Sequence, residues 1–315
     1  MQTKLAIAIP TYNRAEMLHF NLLQILDELI VFEIPVYISD DSTNEETANF
    51  IEELKRKHSL FYYRKNEIRL GHDLNCLSTI SYPSETYVWY LGDSMIIKKG
   101  AIERIVASIQ DESYDFISCN AEGRNLSLEN NVYHSGNDVF RDLCWHLTMT
   151  GVTIYNKKKL IDLTNFEIVK FKNFPQTAII FEQFASKESK LFWINDKLVF
   201  NNPNKNSYWA HKVFEVFIDD FRNFLYNLPD YYSLKSKDKA LLQHGVQTGI
   251  FSYHSFVIYR TQLFFDYTIF KKYKNDFKKV TNANTQVLMI ISLIWIIPLK
   301  ILHTSFKKCT SLFSK

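Results

Sequence analysis

LAIAIPTYNR, running from Leu5 to Arg14, sets the fold class of this chain. Five apolar residues follow one another and stop at Pro10, as in a strand buried on both faces. Between Ala15 and Val31, Leu18, Leu22, Ile25, Leu26 and Leu29 recur at helical spacing. VYIS (Val36 to Ser39) is the next expected strand, and Asp40-Asp41-Ser42 follows it directly. A helix is expected over Thr43 to His58, then strand LFYYR (Leu60 to Arg64), a helix near Leu74 to Ile80, and strand TYVWYL (Thr86 to Leu91). Gly100 to Ile109 reads as helix and YDFISC (Tyr114 to Cys119) as strand. Repeated strand–helix–strand units imply right-handed crossovers and an α/β fold with a mainly parallel sheet flanked by helices.

Beyond residue 120 the alternation loosens. Asn120 to Asn137 is polar and loop-like, Thr148 to Asn156 reads as strand, and Pro175 to Ser186 as helix. Leu191 to Ile194 and Leu198 to Phe200 are expected as a final pair of strands. From Trp209 onward only helical patterns remain, over Trp209 to Leu228 and Lys237 to about Phe270. The expected organisation is a body over residues 1–205, a helical region over 206–280 and a tail over 281–315.

Composition removes several classes. Thirty-seven basic against 34 acidic residues leave a net charge of +3, too small to make nucleic acid the main partner. Four scattered cysteines with no CxxC argue against a disulfide framework or structural zinc. Only eight glycines are present, in neither the GxGxxG nor the GxxxxGK[ST] pattern. The first 14 residues lack the pattern of a secretory signal, so a cytoplasmic location is expected.

Ligands of open parallel sheets bind at the carboxyl ends of the strands. There the chain places Pro10, Thr11, Tyr12 and Arg14, then Asp40 and Asp41, then Arg69, His72 and Asp73, then Gly92, Asp93 and Ser94. Singly, Asp41 and Asp73 read as helix caps and Thr11 as a turn residue. Jointly, AIPTYNR, ISDDSTNEET, RLGHDLN and YVWYLGDS resemble, in order and spacing, the nucleotide-sugar half of inverting family 2 glycosyltransferases of the GT-A type. The last segment is similar to the abequosyltransferase-like branch of surface-polysaccharide enzymes.

That resemblance implies a Rossmann-like GT-A domain that moves a sugar from a nucleotide diphosphate donor, UDP first, onto a glycan acceptor. It implies that Pro10, Thr11 and Tyr12 border base and ribose and that Asp41, with Asp40 beside it, accepts the imide proton of a pyrimidine. Arg14, Arg69 and Asp73 are the further donor-binding residues it suggests. Asp93 takes the place of the DxD motif, so Mg2+ or Mn2+ is implied there, although Gly92-Asp93-Ser94-Met95 keeps one carboxylate where the family shows two or three.

The family's acidic pair is missing from KNFPQTAIIFEQFA (Lys172 to Ala185), which leaves Glu182 as nominal catalytic base against the rival of an ordinary helix-surface glutamate. Asp142, His146 and Glu167 lie in the same half, and Trp145 beside His146 suits either a sugar face or the core. Tyr208-Trp209 and His211 carry the same ambiguity.

VLMIISLIWIIPLKIL (Val287 to Leu302) is shorter than the roughly 20 residues of a spanning helix. With Lys307, Lys308 and Lys315 following, it is expected to dock on an anionic membrane surface and bring the enzyme to a lipid-linked acceptor. A buried closing helix and a single span are its rivals. At the level of function, a non-catalytic scaffold that binds nucleotide or glycan is the alternative, and a nucleotidyltransferase ranks last because PTYNR has no glycine.

Overall fold

The computed structural model describes residues 4–109, 113–124, 126–205, 207 and 209–294. β1 (Leu5–Thr11), α1 (Ala15–Val31), β2 (Val36–Asp40), α2 (Glu46–Lys55), β3 (Phe61–Lys65), α3 (Gly71–Ser81) and β4 (Tyr87–Tyr90) form the first part. β1 and β4 lie buried between layers, as their unbroken apolar runs require. α1 turns Leu18, Leu22, Ile25 and Leu29 inward along one face.

β5 (Met95–Ile97), α4 (Ala101–Ser108), β6 (Phe116–Ala121), β7 (Asn131–Tyr133), α5 (Gly136–Leu147), β8 (Thr153–Asn156), α6 (Pro175–Ser186) and β9 (Leu191–Asn201) complete the body. The sheet order is β3-β2-β1-β4-β8-β6-β9-β5, with β7 paired to β9. Its first four strands are parallel. Beyond β4 the directions mix: β8 runs antiparallel to β4 and β6, while β6 and β9 are parallel.

Several expected elements change form. Strand Thr148 to Asn156 shortens to β8, because Gly151 adopts φ +95° and the chain before it turns along the site. The expected strand pair at Leu191 and Leu198 is one strand, whose pairing with β6 jumps from Ile194 to Lys197. The polar stretch after residue 120 contains β7, and α5 begins behind the Ser135 cap.

The helical region is likewise more broken than its periodicity suggests. Glu215–Asp220 is a π-helical turn leading into α7 (Phe221–Asn227). α8 (Leu234–Gln247), α9 (Tyr253–Thr261), α10 (Tyr267–Tyr273), α11 (Phe277–Val280) and α12 (Thr285–Leu293) follow. Positive φ at Gly249 and Leu263 ends α8 and α9. At Gly245 a Cβ would stand 1.9 Å from the carbonyl oxygen of Val280, so only glycine lets α8 lie against α11.

One apolar core runs from Leu5 to Ile291, through sheet and helical region alike. Phe174 packs its ring against Phe221 and Phe224, and the Tyr232 hydroxyl donates to the carbonyl of Phe181 at 2.9 Å. The helical region is thereby held as the far wall of the cleft above the strand ends. Most of the expected tail, residues 295–315, lies outside the described residues; within them, no helix is long and apolar enough to cross a membrane.

Candidate active site

The order β3-β2-β1-β4 makes the chain reverse its direction of winding at β1, and the crevice opens where β1 and β4 part. β4 pairs with β1 only as far as Ala8 and Tyr90. Pro10, which has no N–H to donate, sits just past that point. A cavity of about 630 Å3 occupies this place.

Pro10, Thr11, Tyr12, Arg14, Asp41, Arg69 and Asp93 all line that cavity. Thr11 Oγ1 donates to Asp93 Oδ2 at 3.2 Å, and Arg14 Nη1 to Asp93 Oδ1 at 3.0 Å. Asn21 Nδ2 ties down the Asp93 carbonyl at 2.8 Å. Burial pushes the Asp93 carboxyl above its ordinary range, and the Arg14 charge opposes that rise.

Asp41 organises the loop before α3. Its carboxylate accepts from Asn66 Nδ2 at 2.7 Å, from the Leu70 amide at 3.2 Å and from the Gly71 amide at 2.8 Å. A carboxylate offers about four acceptor positions, so one is left for a ligand. The same loop carries Arg69, whose guanidinium lies 4.0 Å from the centroid of the Tyr12 ring. Asn13, at φ +51°, donates its amide to Ser42 Oγ and accepts from the Thr43 amide, joining the loops after β1 and β2.

Three expected contacts fall outside the cavity. Asp40 is fully buried beneath it, accepting from the Ser42 amide and the Tyr63 hydroxyl, and so supports the loop that presents Asp41. Asp73 accepts from the Asn173 amide at 3.0 Å and pairs with His72 Nδ1 at 2.7 Å, which fastens α3 to the segment before α6. Glu182 is half-buried on α6 among Lys170, Glu167 and Lys237, and it does not reach the cavity. The proline-led helix turns it toward the helical region instead.

His146 is a core residue. It is fully buried, within hydrogen-bond distance of the Cys119 carbonyl at 2.9 Å, and pushed down to about 3, by burial first. Trp209 lines the cavity, His211 does not, and Tyr208 lies outside the described residues.

The second half of the cavity escapes sequence reading. Glu122 and Arg124 follow β6, Thr148 to Thr150 precede β8, and Lys205 follows β9. Phe217, His244 and Ile250 come from the helical region. These positions share no local motif, since only the pairing of β6 with β8 and β9 and the packing of α8 against α5 bring them together.

The residues at the position implied for a divalent cation do not fit one. Asp93 is the lone carboxylate there and already faces the Arg14 cation, while Ser94 and buried Met95 stand where the family shows further carboxylates, so the donor set is poor in negative charge for a divalent cation. Among the described residues, no three His, Cys, Asp or Glu side chains cluster as a metal site.

Residues 6–173, more than half of the chain, match the family model described as glycosyl transferase family 2. The chain belongs to that family. This glycosyltransferase is 24% identical over 252 residues to the abequosyltransferase RfbV of Salmonella typhimurium, across 73% of this chain and 75% of RfbV. It is 23% identical over 227 residues to the poly(ribitol-phosphate) beta-N-acetylglucosaminyltransferase TarP of Staphylococcus aureus, across 70% of this chain and 64% of TarP.

Two solved structures share the fold. TarS residues 1–349 of S. aureus superpose with a TM-score of 0.57 at 16% identity, over 88% of this chain and 81% of that one. The mannosyltransferase PcManGT of Pyrobaculum calidifontis, in complex with GDP-Man and Mn2+, gives 0.56 at 13% identity, over 93% and 87%. The GT-A expectation therefore holds for the body, and the helical region is present beside it.

Proposed function

We infer that this glycosyltransferase takes a sugar from a nucleoside diphosphate donor bearing uracil or thymine and adds it to a glycan acceptor in surface-polysaccharide assembly. The observation that carries this is the gathering of Tyr12, Asp41, Arg14 and Asp93 around one cavity at the switch point of the sheet. Tyr12, with Arg69 stacked on it, offers a flat surface for a base. The remaining acceptor position on Asp41 suits an imide N–H, which neutral cytosine lacks. Arg14, lining the same cavity, is suited to the diphosphate. Trp209, Phe217 and Ile250 form an apolar wall opposite, suited to the face of an acceptor sugar. The names of RfbV and TarP support glycosyl transfer, and a structure of TarS with UDP-GlcNAc supports a uridine donor.

A thermal-shift screen of nucleotide sugars tests it. A ligand at 100 times its dissociation constant adds about 2.7 kcal/mol of stability. UDP- or dTDP-sugars are expected to raise the melting temperature more than CDP-sugars do. A screen in which no nucleotide sugar stabilises the chain refutes the reading.

The acceptor is proposed to be lipid-linked and met at the cytoplasmic face of the membrane. α12 exposes Ile290 and Leu293, α10 beside it carries Lys271 and Lys272, and α11, before it in the chain, carries Lys278 and Lys279. The apolar run continues beyond α12 in the sequence. The 315-residue chain is expected to sediment with vesicles containing phosphatidylglycerol, and a chain lacking residues 285–315 to remain largely in the supernatant. Equal sedimentation of the two defeats this assignment.

A further inference from the structure

The cavity carries more positive charge than its own carboxylates neutralise. Arg14, Arg69, Arg124 and Lys205 all line it. Of its carboxylates, Glu122 pairs with Lys98 and Lys197 at 2.9 and 3.6 Å, Asp41 serves backbone amides, and Asp93 serves Arg14 and Thr11. Arg124 lies 5.1 Å from the centroid of the Trp145 ring, and its buried Nη1 donates to nothing among the described residues. Lys205 Nζ donates to the Asn201 amide oxygen at 2.7 Å, and among the described residues the only carboxylate whose charge it feels is Asp93, which already pairs with Arg14.

The surroundings respond to this charge. Lys205 is pushed down to about 8, by burial first and then by Arg14, with Asp93 opposing the shift and Arg124 adding to it. His244, on the same wall, is held down near about 3 by burial and then by Arg124. A wall of this kind, rich in fixed cations, attracts a multiply charged anion.

We propose that Arg14, Arg124 and Lys205 hold the donor diphosphate and neutralise the charge that grows on it as it leaves, so that transfer proceeds without a divalent cation. This rests on the nucleotide-sugar reading above. In the transfer, the acceptor hydroxyl oxygen bonds to the anomeric carbon as the bond from that carbon to the diphosphate oxygen breaks. The electron pair of that bond departs with the nucleoside diphosphate, and the hydroxyl proton passes to the solvent. Preorganised cations aimed at the departing oxygens supply the stabilisation such a step needs. Arg14 and Arg124 add planar guanidinium groups suited to phosphate oxygens. Asp93 is then a positioning residue, holding Arg14 at 3.0 Å in the orientation that meets the phosphates.

Calorimetric titration of the full chain with uridine and with UDP, in EDTA and in Mn2+, separates the possibilities. In EDTA, UDP is expected to bind about tenfold or more tighter than uridine, and Mn2+ to change its dissociation constant by less than about twofold. Arg124→Met and Lys205→Met are each expected to weaken UDP about tenfold while leaving uridine within about twofold, which also reports an intact fold. Lys205→Arg keeps the charge and is expected to retain UDP binding. UDP release from a UDP-sugar is expected to run as fast in EDTA as in Mn2+.

Binding or turnover that requires Mn2+, or methionine variants that hold UDP as tightly as the parent, overturns the proposal while the donor reading stands. If neither uridine nor UDP binds under any condition, the donor reading itself falls, and this proposal with it.

Discussion

Replacing Asp41 by alanine is expected to raise the KM for the donor about a hundredfold with a much smaller change in kcat. Two effects combine. The ligand loses its acceptor for the base edge, and a hydrogen bond to a charged group contributes about 1.5–3 kcal/mol, against 1.4 kcal/mol for each tenfold in affinity. The loop before α3 also loses its anchor, because the Leu70 and Gly71 amides and Asn66 Nδ2 all end on this carboxylate. As that loop loosens, Arg69 leaves the Tyr12 ring and the base platform goes with it. These contacts serve donor and transition state alike, so the loss falls on KM. Asp41→Asn keeps one acceptor oxygen but brings a donor amide toward donor groups, and an intermediate loss is expected. Steady-state kinetics at saturating acceptor measure the split. An unchanged KM in Asp41→Ala places the nucleotide elsewhere.

The second large effect is loss of stability in mild acid. His146 and His244 are both buried and pushed down to about 3, in each case by burial first and then by the nearby Arg124 charge. His146 stands edge-on between Trp145 and Trp193, and His244 packs on Phe217 and Phe221 within reach of Thr148 Oγ1 at 3.3 Å. In the unfolded chain each takes up its proton near 6.5, whereas the folded chain resists it. Their contribution is therefore complete above about pH 6.5 and is lost as the pH falls toward 3. At about 1.36 kcal/mol per unit, each forfeits about 2 kcal/mol by pH 5, or about 4 kcal/mol together. Urea titrations at pH 7 and pH 5 are expected to show this fall. His244→Phe, which keeps an aromatic ring among Phe217 and Phe221, is expected to remove about half of it. A stability that is flat between the two pH values contradicts this account of the buried histidines.

How far the sequence reveals all this depends on the range over which its signals act. LAIAI and VYIS are buried on both faces, so their apolar runs announce parallel strands without reference to the rest of the chain. The turn residues that leave those strands are fixed by the topology, and for that reason Tyr12, Arg14, Asp41, Arg69 and Asp93 reach one cavity as expected. Asp40 departs from expectation because strand alternation turns it inward, onto Tyr63. Asp73 and Glu182 depart because their surroundings are set by Asn173 and by the helical region, distant in the chain. Arg124 and Lys205 carry no motif at all: each is a single basic residue in a polar loop, and it acquires meaning only when β6 and β9 lie side by side. The mixed half of the sheet is illegible for a related reason, since the bulge in β9 and the short edge strands β5 and β7 answer to their partners rather than to any periodicity of their own.

The central claim is that the loops leaving β1, β2 and β4 gather around one sugar nucleotide, and calorimetric titration of UDP into the parent chain and into Asp41→Ala tests it most directly. One UDP per chain, held about a hundredfold more weakly by the variant, is the predicted result. No heat from the parent, or the same dissociation constant for both, contradicts it.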